Sequence, residues 1–161
     1  MSNLDFSNNL FVHVPFDWFE HYRETFKVWN VYPEFLISTK LLDNFEEGEL
    51  IGLARDFRYK RMRCTIHAPF TDMDLGSQDV RVISLARTRL LRILEISDVL
   101  RPEVIVIHSG YDPGIKKTAF KQWWSTASKS IEIIAKTAHR FELNLAVENV
   151  NDTNPAFLRK V

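Results

Sequence analysis

Three residues of chemically useful type recur at nearly equal spacing: His67, His108 and Glu148, which lie 41 and 40 residues apart. Each is the first strongly polar residue at the end of a short β-rich run. Val104-Ile-Val-Ile107 before His108 is the clearest of these, with the pattern of a strand buried in a parallel sheet. In α/β proteins, side chains at the carboxyl ends of such strands carry the chemistry. Two imidazoles and a carboxylate are the donor set of hydrolytic zinc centres, and they also suit manganese or iron(II). Neighbouring parallel strands lie about 4.8 Å apart, so side chains at three adjacent strand ends can converge on one point. A metal held there would polarise a carbonyl or activate a water. A single strand-end histidine is more often a hydrogen-bonded structural residue, but three ligand-type residues in register at consecutive strand ends weigh against coincidence.

The elements that must position them alternate along the chain. Residues 10–14 read as a first strand containing His13, and residues 17–29 as an amphipathic helix. In that helix Asp17 and Glu20 give a capping signature, Phe19, Tyr22, Phe26 and Trp29 form an aromatic inner face, and Asn30 stops it. Residues 34–37 form the second strand, where Glu34 reads as a surface residue. Asp43 and Glu46 repeat the capping signature before a helix marked by Leu50, Leu53, Ala54 and Phe57. Residues 62–67 form the third strand, followed by Ala68-Pro69-Phe70 and a loop over 71–77. Ser77 is the expected cap of a helix over 78–100, whose arginines (Arg81, Arg87, Arg89, Arg92) read as a solvated face. The loop carboxylates Asp72, Asp74 and Asp112 read as solvated too. Arg101-Pro102 ends that helix, and the fourth strand follows. A helix marked by Phe120 to Ala138, with its tryptophans in the core, leads to a fifth strand over 143–147. Asn154-Pro155 then resembles a helix start. Strand–helix alternation with short connections predicts right-handed crossovers and a parallel sheet, in an α/β single domain over 1–161.

Composition narrows the partners. Lys plus Arg and Asp plus Glu number 21 each, so no net charge steers the chain toward nucleic acid or anionic membrane. The N-terminus lacks the charged-then-apolar form of a signal peptide, and a single cysteine, Cys64, excludes an intrachain disulfide. A cytoplasmic location is the expectation. No Gly-rich phosphate loop follows the first strand, where Pro15-Phe16-Asp17 stands, which argues against a doubly wound nucleotide-binding sheet of flavodoxin type.

Thr65-Ile-His-Ala-Pro-Phe70, Val106-Ile-His-Ser-Gly-Tyr111 and Leu145-Ala-Val-Glu-Asn-Val150 resemble successive motifs of the xylose-isomerase-like TIM barrels, and Phe11-Val-His13-Val resembles the strand-1 motif. The resemblance spans roughly residues 10–155. That superfamily comprises sugar isomerases and epimerases and the family-2 AP endonucleases. By resemblance, His67, His108 and Glu148 would bind a divalent metal, zinc or manganese, and His13 and Phe70 would line the substrate cleft, with Glu34 on strand 2 a weaker pocket candidate. The acid/base of the family comes from strands 6 to 8, so none is assigned here.

A complete barrel takes about 250 residues, so the expected fold is a partial (β/α)₈ barrel of five strands, with the C-terminal strands absent. The leading functional expectation is a metal-dependent sugar or sugar phosphate isomerase/epimerase. An endonuclease of the endonuclease IV type acting on abasic DNA is one alternative, kept open by Phe70 and Lys116-Lys117; an inactive barrel fragment is another. Five strands leave two open edges and an uncovered interior, so the opening of the 161-residue chain is expected to be covered by a second copy in a homo-oligomer, by a partner fragment, or by flattening of the sheet. Size-exclusion chromatography with light scattering checks this, and a well-behaved monomer would contradict it.

Overall fold

The computed structural model describes residues 10–44, 46–60 and 62–148. Five strands, β1 (Phe11–Pro15), β2 (Tyr32–Leu36), β3 (Thr65–His67), β4 (Ile105–His108) and β5 (Leu145–Glu148), form one parallel sheet in the order β1-β2-β3-β4-β5. Helices α1 (Phe19–Trp29), α2 (Thr39–Asn44), α3 (Glu47–Tyr59), α4 (Val80–Leu100) and α5 (Lys117–Arg140) fill the connections. Sequential strand order with helical crossovers is the arrangement of a TIM barrel, here an open sheet and so a partial barrel. The helix start expected at Asn154-Pro155 lies outside the described residues.

Alternation along the strands sorts the side chains onto two faces. Val14, Phe35, Ile66, Ile105 and Ile107 point to the helices and are fully buried. His13, Glu34, Leu36, His67, Val106, His108, Ala146 and Glu148 share the other, concave face and are only partly buried or exposed. The run Val104–Ile107 is therefore buried on its helix side, while Val106 lines the half-open interior. The core consequently sits between sheet and helices, where Phe16, Phe19, Phe35 and Phe57 pack with ring centroids 5.1–5.6 Å apart. Burial pushes the thiol of Cys64 up to about 12, so this cysteine is an apolar core residue.

Several expected details change. The segment 16–18 is a 3-10 turn, so α1 starts at Phe19 without a side-chain cap from Asp17. Only Phe19 and Phe26, two turns apart, are buried; Tyr22 and Trp29 share a flank of α1 that faces out. Asn30 does end the helix, in the left-handed conformation. The capping box before α3 joins Glu46 and Glu49 and leaves out Asp43. Asp79, whose carboxylate accepts from the Arg81 amide, caps α4, and Ser77 Oγ accepts from the Asp79 amide. The sequence reading missed α2, although Ser38 accepts from the Leu41 amide like an N-cap. No helix among the described residues is long and apolar enough to cross a membrane.

The largest revision concerns the arginines of α4. Arg81 is exposed, but Arg89 is only 9% exposed. It pairs with Asp43 of α2 and donates from Nη1 to the Asp72 carbonyl at 3.2 Å. The guanidinium holds the Asp43 carboxyl below its usual range. Arg92 donates to the Leu42 carbonyl at 2.5 Å, and Arg87 Nε to Ser130 Oγ of α5 at 3.0 Å. Three of the four arginines therefore tie α4 to α2, α5 and the 71–77 loop, Arg89 and Arg92 by satisfying backbone carbonyls and Arg87 through a serine hydroxyl. Arg89→Ala is expected to lower unfolding free energy by about 1–3 kcal/mol, measured by urea denaturation. Arg81→Ala should change it by less than about 0.5 kcal/mol.

Candidate functional site

The carboxyl ends of β3, β4 and β5 bring His67, His108 and Glu148 together. His67 Nε2 lies 2.8 Å from His108 Nε2, and Glu148 Oε2 lies 3.3 Å from His108 Nε2 and 3.7 Å from His67 Nε2. The three are not in one register, as equal spacing suggested. His108 pairs directly with Glu148, whereas His67 pairs with Val106, one pleat lower. A stagger of two residues keeps all three on the concave face, and the strand tilt of a barrel lets staggered positions meet.

Two imidazole nitrogens and a carboxylate oxygen within 4.8 Å of one another could hold a divalent ion. Bonds of about 2.0–2.1 Å in tetrahedral geometry place donors about 3.3 Å apart. The separation of 3.3 Å suits that arrangement, and the 3.7 Å one needs to close by about 0.4 Å. The 2.8 Å histidine pair needs to open by about 0.5 Å to reach it. Burial, and then the neighbouring His67, hold the His108 imidazolium below its usual range, with Glu148 acting in the opposite sense. A neutral imidazole keeps a lone pair for a ligand.

Below and beside this cluster lie residues the sequence reading valued less. Glu34, a weaker pocket candidate by resemblance and more readily read as a surface residue, points into the concave face, where its Oε1 accepts from His67 Nδ1 at 3.0 Å. Its Oε2 accepts from the Thr65 hydroxyl at 3.3 Å. Glu34 pairs in register with His13, whose ring centroid is 5.1 Å from that of His67. Phe70, 45% exposed, sets its ring 5.5 Å from His67 and 5.3 Å from His108. His13, Phe70 and the three converging donors all line one cleft of about 710 Å³.

The cleft has a second wall that the sequence reading did not assign. Met73, Val82, Leu85, Ser109, Gly110 and Tyr111 line it with Asp72 and Asp74. Val82 and Leu85 form an apolar pair three residues apart, outside the buried stripe of α4, and that spacing was the available signal. Asp74 is a structural carboxylate here: it accepts from Trp123 Nε1 at 2.8 Å and from the Gly76 amide at 2.9 Å. Asp112 accepts from the Gly114 amide and lies off the cleft, as do Lys116 and Lys117.

A family described as the xylose isomerase-like TIM barrel matches residues 16–160. The TTHB071 protein from Thermus thermophilus, solved after soaking with zinc chloride, superposes with a TM-score of 0.80 at 22% identity, over 94% of this chain and 60% of that one. A D-tagatose 3-epimerase-like protein matches at 25% identity with a TM-score of 0.58, over 75% of this chain and 45% of that one. The D-psicose 3-epimerase of Clostridium cellulolyticum, solved with D-tagatose, gives a TM-score of 0.63 at 17% identity, over 88% and 52% of the two chains. This chain thus spans less than two thirds of the length of the solved structures it resembles. No curated protein matches the sequence at a significant level.

The loop that walls the cleft is pinned at several points. Ser130 Oγ donates to the Leu75 carbonyl at 2.9 Å, Trp123 holds Asp74, and Arg89 holds the Asp72 carbonyl. Gly110, at φ +75°, packs against the Met73 backbone so closely that a Cβ there would overlap the Met73 carbonyl. Gly110→Ala is expected to cost about 1–3 kcal/mol of stability, from the left-handed backbone and the displaced loop. Urea denaturation checks the cost. Amide hydrogen exchange should speed up over residues 73–76, and unchanged exchange there would contradict the contact.

Proposed function

Because the chain belongs to the xylose isomerase-like TIM barrel family, we propose that it carries the first metal-binding half-site of a sugar or sugar phosphate isomerase or epimerase. The observation that supports this reading is the convergence of His67 Nε2, His108 Nε2 and Glu148 Oε2 at the carboxyl edge of the sheet, above a cleft of about 710 Å³. In this reading those three residues are the ligands, and zinc or manganese is the ion. When bound, the ion supplies Lewis-acid polarisation of substrate oxygens.

The chain's own residues supply the rest of the half-site. The exposed ring of Phe70 offers an apolar surface for the carbon face of a sugar, next to the polar donors that fix its oxygens. His13 lines the lower part of the cleft, within reach of Glu34 and His67. The acid/base that moves the proton lies outside the five described strands in this reading. Among the described residues no lysine or arginine lines the cleft, which favours an uncharged sugar portion at this end over a run of DNA phosphates. Ketose substrates are the natural first choice, since two of the structural relatives are named as D-tagatose- and D-psicose-type 3-epimerases.

Two measurements on purified protein test the reading. Metal analysis is expected to find bound zinc or manganese in the wild type and to find it lost in the His67→Ala/His108→Ala double variant. Proton exchange beside the carbonyl of a ketose, followed by NMR in deuterated water, should fall to background in the same variant. Equal metal content in both proteins would overturn the site. Cleavage of an abasic-site duplex without sugar exchange would replace the isomerase with the nuclease.

A further inference from the structure

We propose that Glu34 is a positioning residue for His67, fixing its tautomer and ring orientation so that Nε2 faces the point where His108 and Glu148 converge. This inference rests on the metal-site reading for its purpose, though its geometric content can be tested without any metal. Glu34 and Thr65 are register partners on β2 and β3, and His67 lies two residues beyond Thr65 on the same face. The carboxylate therefore sits diagonally below the imidazole. Glu34 is held from one side by the Thr65 hydroxyl at Oε2 (3.3 Å) and accepts from His67 Nδ1 at Oε1 (3.0 Å). The side chains of His67 and Glu34 are 12% and 26% exposed, so water competes little for this hydrogen bond.

A carboxylate can only accept, so the bond requires the proton on Nδ1. A neutral imidazole has one protonated and one lone-pair nitrogen, which leaves Nε2 as the free donor atom. That atom is 2.8 Å from His108 Nε2 and 3.7 Å from Glu148 Oε2. A ligating histidine backed by a carboxylate through its other nitrogen is held in place and made more basic, and losing such a partner typically weakens metal binding about 10–100-fold.

His13, Glu34 and His67 also place one donor atom each within 4.8 Å of one another. A cation there would need the lone pair of His67 Nδ1 and would leave Nε2 protonated, with no free pair toward His108 and Glu148. The two uses of His67 exclude each other while the imidazole is neutral. The convergence of His108 Nε2 and Glu148 Oε2 on His67 Nε2, with Glu34 Oε1 at hydrogen-bond distance from Nδ1, points to the Nε2 use.

Long-range proton–nitrogen NMR on metal-free protein reads the tautomer directly. Wild-type His67 is expected to be protonated at Nδ1, and Glu34→Ala to lose that preference. Zinc affinity, measured by competition with a chromophoric chelator, should weaken about 10–100-fold in Glu34→Ala, with the number of ions bound unchanged and the metal-free Tm a separate readout. Glu34→Gln, whose amide oxygen can still accept, should recover part of the affinity. A wild-type His67 protonated at Nε2, unaltered zinc affinity in Glu34→Ala, or the loss of one of two bound ions would each overturn the proposal. If wild-type protein binds no zinc or manganese, the functional reading fails, while the tautomer still decides the role of Glu34.

Discussion

Everything in this molecule depends on a parallel sheet whose two faces meet different surroundings. With a side-chain period of two, one set of residues is driven under the helices and the other onto the concave face. Val14, Phe35, Ile66, Ile105 and Ile107 make up the first set and are at most 4% exposed. The polar residues His13, Glu34, His67, His108 and Glu148 all fall in the second. Moving β2, β3 or β4 by one residue would bury an imidazole or carboxylate among apolar helices and expose an isoleucine or phenylalanine. The hydrophobic core therefore sets the register, and the register assembles the polar cluster.

The cleft is held from outside as firmly as from below. Its wall is an irregular loop, and a loop that closes a polar site must satisfy its own backbone groups. Here α4 and α5 meet that need through side chains: Arg89 on the Asp72 carbonyl, Ser130 on the Leu75 carbonyl, and Trp123 on the Asp74 carboxylate. Ser130 also accepts from Arg87, so one buried hydroxyl joins α4, α5 and the loop. Arg89, which reads as solvated charge on a helical wheel, is thus one of the means by which the scaffold positions Asp72.

Local patterns made much of this legible from sequence. Apolar runs punctuated by helical periodicity pointed to the strand–helix alternation and its parallel sheet, and the ends of those runs marked His67, His108 and Glu148. What stayed hidden was relational. The stagger that pairs His67 with Val106 comes from strand tilt, which no single strand encodes. Arg89 meets Asp43 and Glu34 meets His67 across 46 and 33 residues, so neither pairing leaves a periodic trace. Tyr22 and Trp29 face out, against expectation, because helical spacing groups residues without saying which flank meets the sheet.

The polar cluster grades from fixed to adjustable across the sheet. His67, on the central strand, uses both ring nitrogens, one toward Glu34 and one toward His108. His108, on the next strand, is almost as buried as His67. Glu148, on the last described strand, has a side chain 45% exposed and sits 3.3–3.7 Å from both histidines. A carboxylate with that freedom can follow a small shift of the histidines, whereas an imidazole locked on both sides cannot. Were a tetrahedral ion to bind here, the half-ångström opening of the histidine pair would fall to His108, with Glu148 following. His67 stays where Glu34 and Thr65 hold it, and the position of the site is set from β2 and β3 outward.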